Sequence, residues 1–186
     1  MRSDGFQKLI VFNDVDVVTM IEAEPGAVAI PHIIRNANRK TVYDISDEIR
    51  SIQAMPAKSE QQSTLVALAP RVPRFVRLFL FWVLKKNPHW FKGLQGTVVV
   101  TSVGMFGSGG GWGVGFLPTH TMGLTVGGIA QKPGLYDGHI EVREYLNLTV
   151  SFDHDIVDGA PAARFTRKLV KLIEMATVLE EVERTE

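Results

Sequence analysis

The sequence predicts a single α/β domain, and three observations support this. Runs rich in valine and isoleucine, typical of β-strands, occur in both halves of the chain. Two segments carry apolar residues at helical spacing, one between these runs and one after the last of them. The chain has 186 residues and is 45% hydrophobic, which suffices for one core but not for two of comfortable size. Residues 1–186 are therefore predicted to form one domain.

The N-terminal region is predicted to form a β-hairpin followed by a helix. Residues 9–12 and 15–21 are β-rich, a second apolar run covers residues 27–34, and Pro25-Gly26 between them is typical of a turn. Thr41 is suited to cap a helix. The apolar residues of that helix recur at helical spacing, at Val42, Ile45, Ile49 and Ile52. Pro56 ends it, and the proline-containing, partly polar residues 56–73 are predicted to form a loop or an insertion.

The middle of the chain contains a β-type run at residues 97–101 that leads into a glycine-rich stretch, with glycines at 104, 107, 109, 110, 111, 113 and 115. The stretch lacks a Gly-x-x-x-x-Gly-Lys-Ser/Thr motif, so we expect its glycines to permit close packing instead of binding a phosphate. Asp137-Gly138 is suited to a tight turn that joins a short strand to a strand over residues 140–152.

That last strand predicts the position of a histidine. Its apolar residues alternate, at Leu146, Leu148, Val150 and Phe152, which places His154 in phase with the buried face at the end of the strand. A helix is predicted just beyond it, with Pro161 in the first turn. The apolar positions of this helix are Ala162, Phe165, Leu169, Leu172, Ile173 and Ala176.

Composition excludes several classes of function. The chain has 20 basic and 20 acidic residues, so no overall field favours nucleic acid or an anionic membrane surface. It has no cysteine, which excludes disulfides, thiolate zinc sites and a cysteine nucleophile. No secretory signal is apparent at the N-terminus, and a cytoplasmic location is expected.

The aromatic segment at residues 75–91 is the one stretch that suggests a membrane. Its longest apolar run, residues 78–84, is too short to span a bilayer, which needs about 20 residues. Basic residues on both sides are compatible with a membrane interface, but packing against a partner explains the segment equally well, and we favour the partner.

Residues 153–159 place a histidine between carboxylates, and four interpretations compete. In the first, Asp158 caps the helix and His154 belongs to the core. A calcium loop is excluded because Arg164 stands where glutamate would be required. A metal site is disfavoured because no second histidine lies at ligand spacing. In the fourth, His154 is a general base, since imidazole titrates near neutral pH and can accept a proton from a thiol.

The residues around this histidine resemble a known family. Residues 146–160, with the motif His-x-x-x-Asp-Gly, are similar to the signature of the acyltransferase component of 2-oxo acid dehydrogenase complexes. This family shares its fold with chloramphenicol acetyltransferase. Residues 29–34, 97–107 and 125–129 also fit the family in the same order, so the resemblance extends from about residue 9 to residue 176.

The resemblance implies a two-layer α/β sandwich of a mixed β-sheet with helices, assembled as a homotrimer or a higher assembly. It implies that His154 is the general base, that Asp158 supports its loop and that Thr101 binds the oxyanion. The histidine and the hydroxyl residue would come from adjacent subunits. The adjacent Ser102 is an alternative hydroxyl, and we assign it with Gly104 and Gly159 to substrate binding. Coenzyme A or a lipoyl group is the implied substrate, without a metal or a covalently bound cofactor.

Three departures from the family are visible. Asp155 stands where the family usually has arginine. We expect no lipoyl domain and no subunit-binding domain within residues 1–186, so free acyl-CoA or a lipoyl-bearing protein is the expected partner. The opening strand and long helix of the family do not precede the matched region. The alternatives are a non-catalytic trimeric scaffold, a truncated inactive homologue, or an acyltransferase whose acceptor is a small-molecule hydroxyl or amine.

Overall fold

The computed structural model describes residues 2–3, 9–22, 26–56, 72–104, 109–115, 117 and 119–176. Its main element is a five-stranded mixed sheet of order β4-β3-β5-β6-β7. The strands are β3 (Val17–Ile21), β4 (Ile30–Ile34), β5 (Val98–Ser102), β6 (Met122–Tyr136) and β7 (His139–Phe152). A separate antiparallel pair consists of β1 (Arg2–Ser3) and β2 (Leu9–Ile10). The helices of the described residues are α1 (Val42–Ala54), α2 (Arg74–Lys86), α3 (Pro88–Gln95) and α4 (Gly159–Met175), with a 3₁₀ turn at Ala37–Arg39.

The predicted N-terminal hairpin is confirmed, because β3 and β4 pair antiparallel. Strand β3 then pairs parallel with β5, and β5 pairs parallel with β6. Strands β6 and β7 form a long antiparallel hairpin at the edge of the sheet. Strand β5 runs parallel to β6, and β7 runs antiparallel to it. The carboxyl ends of β5 and β7 therefore lie at opposite ends of the sheet along the strand direction.

Helix α1 begins where the sequence predicts. The hydroxyl of Thr41 accepts a hydrogen bond from the N–H of Asp44 at 3.1 Å, and the carboxylate of Asp44 accepts one from the N–H of Thr41 at 2.9 Å. This reciprocal pair is a capping box, and it satisfies two N–H groups at the helix start. The hydrogen bonds from Thr41 hold the pKa of Asp44 below its usual value. On the inner face of the helix, Ile52 is buried.

Strand β6 is much longer than the short strand that we predicted, with 15 residues. Its four glycines, at 123, 127, 128 and 134, dilute the β-type signal of the sequence. The turn at Asp137 and Gly138 is confirmed: both residues have positive φ, 47° and 83°, as a two-residue hairpin turn requires.

Asp16 connects three strands of the sheet and helix α3. It is buried, and its carboxylate accepts the N–H of Asn36 at 2.9 Å and lies 3.3 Å from a guanidinium nitrogen of Arg35 and 3.6 Å from the ammonium of Lys92. Its backbone carbonyl accepts the N–H of Thr97 at 2.8 Å. These contacts fix the start of β3 against the end of β4, helix α3 and the start of β5, and they offset the cost of burying a charge.

Helices α2 and α3 occupy the aromatic segment, which the sequence left without an assigned structure. Phe91 of α3 is buried with the hydrophobic core residues Val18, Ile21, Ile33, Ile34 and Ile52, whereas most large side chains of α2 are exposed. Within the described ranges, no helix is long and apolar enough to cross a membrane. Of the predicted loop, residues 57–71 lie outside the described residues.

Candidate active site

His154 lies on a turn directly after the sheet. Strand β7 ends at Phe152, and the side chain of His154 is exposed. The prediction that His154 continues the buried face of the strand is therefore wrong. The physical reason is that the chain leaves the extended conformation at Asp153, so the alternation of side chains stops before it reaches the histidine.

Asp153 holds this turn. Its carbonyl accepts the N–H groups of Ile156 at 3.0 Å and Val157 at 2.9 Å, and its carboxylate accepts the N–H of Asp155 at 3.1 Å. Its own N–H donates to the carbonyl of Thr121 at 2.9 Å, which fastens the turn to the start of β6. The sequence analysis assigned no role to Asp153. Aspartate nevertheless favours turns, because its carboxylate can accept the backbone N–H of the residue two positions later.

Asp158 occupies the cap position of α4. Its backbone carbonyl accepts the N–H of Ala162 at 3.1 Å, but its exposed side chain makes no capping hydrogen bond. The expectation that this side chain fixes the turn by hydrogen bonds is thus wrong for the described residues, because Asp153 supplies those bonds. Gly159 is the first residue of α4, and a Cβ there would meet nothing within 4 Å. Neither a positive φ nor close packing therefore requires a glycine at this position.

Thr101 lies near the end of β5 and is half-buried, whereas the neighbouring Ser102 is exposed. The Cα partner of Thr101 in β6 is Thr125, and that of Thr125 in β7 is Thr149. Residues paired in this way share one face of the sheet, so three threonines form a row across the three strands. Ser102 points to the opposite face, because adjacent strand residues alternate.

The glycine-rich loop covers the face that carries this threonine row. A Cβ at Gly113 would lie 2.6 Å from methyl groups of both Thr125 and Val103, and a Cβ at Gly104 would lie 1.9 Å from the carbonyl oxygen of Gly127. The prediction that these glycines permit close packing is confirmed at both positions. Gly104, which we assigned to substrate binding, is packed against the backbone of β6.

Asn147 of β7 holds the same loop by hydrogen bonds. Its side chain is buried and donates to the carbonyls of Gly110 at 2.8 Å and Gly111 at 3.3 Å, while its own oxygen accepts from the ammonium of Lys132 at 3.3 Å. Leu146, on the apolar side of the strand, is 44% exposed. In this part of β7 the face that carries Asn147 is therefore better buried than the face that carries Leu146. The sequence pattern did not indicate this, because the glycine-rich loop that covers the polar face is distant in sequence.

The strand register separates the two predicted catalytic groups within one chain. Thr101 lies level with Thr149, and β7 continues for three more residues to Phe152 before the turn that carries His154. Three strand residues along the sheet and two strand spacings across it place the two residues on the order of 15 Å apart. One chain thus does not bring His154 and Thr101 together.

The surroundings of His154 are acidic. Asp153, Asp155 and Asp158 lie within four residues of it, and both Asp155 and Asp158 are exposed. Among the described residues, no group of three or more His, Cys, Asp or Glu side chains is arranged to hold a metal ion. At this end of the sheet the described residues place an exposed imidazole beside exposed carboxylates.

Comparison with known proteins shows the family to which the chain belongs. The model of the 2-oxoacid dehydrogenases acyltransferase family (catalytic domain) matches residues 85–180, and the chain belongs to this family. The human mitochondrial dihydrolipoyllysine-residue succinyltransferase component of the 2-oxoglutarate dehydrogenase complex is 25% identical over 95% of the chain and 32% of its own length. The dihydrolipoyllysine-residue acetyltransferase component of the pyruvate dehydrogenase complex from Mycoplasma pneumoniae is 29% identical over 96% of the chain and 37% of its own length. The chain thus spans about a third of the length of these relatives.

Solved structures show the same fold. The probable dihydrolipoamide acetyltransferase of Listeria monocytogenes superimposes with a TM-score of 0.61 at 24% identity, covering 91% of this chain and 60% of that one. The cubic core of the pyruvate dehydrogenase multienzyme complex gives a TM-score of 0.62 at 22% identity, covering 95% and 61%. The predicted fold class, a mixed sheet with helices like that of chloramphenicol acetyltransferase, is confirmed.

Proposed function

We propose that this chain transfers an acyl group between coenzyme A and a thiol such as that of dihydrolipoamide, with His154 as the general base. The observation that carries the proposal is the exposed imidazole of His154, on a hydrogen-bonded turn at the end of the sheet in a chain of this acyltransferase family. A general base must reach the proton that it removes, and an exposed histidine on a fixed turn is accessible to a substrate thiol.

The proposed reaction is a direct transfer. His154 takes the proton of the acceptor thiol, and the thiolate attacks the carbonyl carbon of the acyl thioester. The hydroxyl of Thr101 donates a hydrogen bond to the oxyanion of the tetrahedral intermediate. When the intermediate collapses, the carbon–sulfur bond of the donor breaks, and the leaving thiolate takes the proton back from the imidazolium. The charge balance closes without a metal.

We further propose that the active site forms between two subunits of a homotrimer. The separation of Thr101 from His154 within one chain supports this, because both groups must contact one thioester. A similar solved structure is the multimeric cubic core of the pyruvate dehydrogenase complex. In the related enzyme from Azotobacter vinelandii, a serine, a histidine and an asparagine have a role in the catalytic mechanism, and the histidine and asparagine are four positions apart, as His154 and Asp158 are here.

The substrates that we propose are acyl-CoA and a lipoyl group carried by another protein. Because the sequence contains no cysteine, the chain is suited to the reducing cytoplasm, where we place the reaction.

The test is steady-state transfer from acetyl-CoA to dihydrolipoamide. We expect turnover by the wild type and a loss of about 10²–10⁴-fold in His154→Ala, the usual contribution of a general base. His139→Ala removes another exposed histidine, at the β6–β7 turn, and retains full activity. Light scattering reports whether each variant still assembles. A well-folded trimer without histidine-dependent turnover would contradict the proposal and favour a non-catalytic scaffold.

A further inference from the structure

The acidic residues of this chain are absent from its central part. The whole sequence is neutral, but residues 61–136 contain no aspartate or glutamate. The same range contains seven basic residues: Arg71, Arg74, Arg77, Lys85, Lys86, Lys92 and Lys132. With seven basic and no acidic residues, this part of the sequence has a formal charge of +7, although the net charge of the chain is zero.

Helix α2, within this basic region, exposes a continuous apolar stripe. Phe75, Leu78, Phe79 and Trp82 are 73%, 59%, 62% and 53% exposed. They follow one another at helical spacing (i, i+3, i+4, i+7), so all four lie on one side of the helix. Large apolar side chains that are exposed singly need no explanation, but four on one stripe form a surface for an interaction.

The other side of α2 faces the protein. The rings of Phe81 and Phe91 are in edge contact at 6.5 Å, and this contact joins α2 to the buried part of α3. Val83 and Leu84 are half-buried. This side of the helix therefore contacts α3, although Phe81 is itself 42% exposed, and the stripe lies on the more exposed side.

Positive charges lie at both ends of the stripe. Arg74 is exposed in the first turn and flanks the stripe, and Lys86 continues the stripe one turn beyond Trp82, with its ammonium 4.1 Å from the centre of the indole ring. The helix has 13 residues and a length of about 20 Å, which is too short to cross a bilayer but suited to lying in its surface. Basic ends with an aromatic and aliphatic face are typical of interfacial helices.

We propose that α2 docks on an anionic lipid surface, with Phe75, Leu78, Phe79 and Trp82 inserted at the level of the headgroups. Arg74 and Lys86 then lie at the level of the lipid phosphates. A second copy of α2 would bring basic residues against basic residues, and the phosphates of a nucleic acid would leave the apolar stripe without a complement. An anionic lipid surface satisfies both the charge and the apolar stripe. This docking does not depend on the acyltransferase reaction.

The experiment is co-sedimentation of the full chain with vesicles of phosphatidylcholine and with vesicles of mixed phosphatidylcholine and phosphatidylglycerol. We expect binding to the mixed vesicles and at least tenfold weaker binding to phosphatidylcholine alone. Neutralising Arg74 and Lys86 to glutamine lowers the partition coefficient about fivefold per residue. The matched control, Arg164→Gln with Arg167→Gln on α4, changes it less than about twofold.

The apolar stripe is tested in the same assay. Phe79→Glu with Trp82→Glu abolishes binding, whereas Val28→Glu, at a 90% exposed valine near the β3–β4 turn, leaves it unchanged. If the double variant does not fold, the depth of Trp82 is measured in a Trp90→Phe, Trp112→Phe chain by quenching with brominated lipid. The proposal is wrong if the wild type ignores the mixed vesicles, if Trp82 is not quenched, or if the stripe variant instead dissociates an oligomer that forms without lipid.

Discussion

Thr101 and His154 lie at opposite ends of one five-stranded sheet, two strands apart and offset along the strand direction. A thioester with its attacking thiol is far smaller than this separation of about 15 Å. If both residues act on one substrate, they must therefore come from different chains. This relationship turns the assembly of the protein into a testable part of its mechanism.

We predict that two inactive variants complement each other. Thr101→Val retains His154, and His154→Ala retains Thr101, so a mixed trimer contains some interfaces with both intact groups. Random mixing at equal amounts makes about a quarter of the interfaces intact, and we expect about a quarter of wild-type activity after co-refolding. Each variant refolded alone is the control. Activity no higher than that of the separate variants would show that the site does not form between chains.

Thr101 and Ser102 are distinguished by their faces. We predict that Thr101→Val lowers kcat by about 10²–10³-fold with a small change in the KM for CoA, because an oxyanion donor acts in the transition state. Ser102→Ala, on the opposite face of β5, lowers kcat less than about threefold. Steady-state kinetics of both variants is the measurement. A larger loss in Ser102→Ala would move the oxyanion role to that hydroxyl.

Gly113 and Gly111 provide a matched pair in the glycine-rich loop. A Cβ at Gly113 meets Thr125 and Val103 at 2.6 Å, whereas a Cβ at Gly111 meets nothing within 4 Å. We predict that Gly113→Ala destabilises the fold by about 1–3 kcal/mol through overpacking. Gly111→Ala is neutral or slightly stabilising, since alanine restricts the unfolded chain. Thermal unfolding measures both, and an equal melting temperature for the two variants would contradict the close approach.

Much of the fold follows from local sequence signals. The cap at Thr41 and the turn at Asp137-Gly138 act over a few residues, and both were predicted correctly because their physics is local. Strand β6 was not, because its glycines lower its strand propensity, and its length is determined by pairing with β7 and by the loop that packs on it.

The sequence proposes residues for the candidate site but does not determine their geometry. The family resemblance implies roles for His154 and Thr101, which stay predictions. The phase of His154 depends on where β7 ends, beside the hydrogen bond from the N–H of Asp153 to the carbonyl of Thr121. From the sequence, Asn147 is only a polar residue of a strand. Its role in holding the glycine-rich loop depends on glycine carbonyls 36 and 37 residues away. Contacts between distant residues cannot be read from local periodicity.

Glu48 on α1 links the helix to strand β4 through charge. Its carboxylate lies 3.0 Å from the Nε2 of the buried His32 and accepts a hydrogen bond from the ammonium of Lys40. Burial alone would raise the pKa of Glu48, but the hydrogen bonds from Lys40 and His32 outweigh it and hold the pKa below its usual value of 4.5. A carboxyl whose pKa is lowered by folding stabilises the fold above its usual pKa, and this contribution is lost as the pH falls through the lower pKa of the folded state.

We therefore predict that Glu48→Gln destabilises the fold at neutral pH by about 1–3 kcal/mol, because it removes a charged hydrogen-bond acceptor from a partly buried site. The difference from the wild type shrinks as the pH falls below 4.5 and vanishes once Glu48 is protonated in both states. Urea unfolding over a series of pH values measures this, with Asp47→Asn as the control at the next, exposed position of α1. An equal loss of stability in Glu48→Gln at neutral pH and at about pH 3 would show that shape, and not charge, makes the contribution of Glu48.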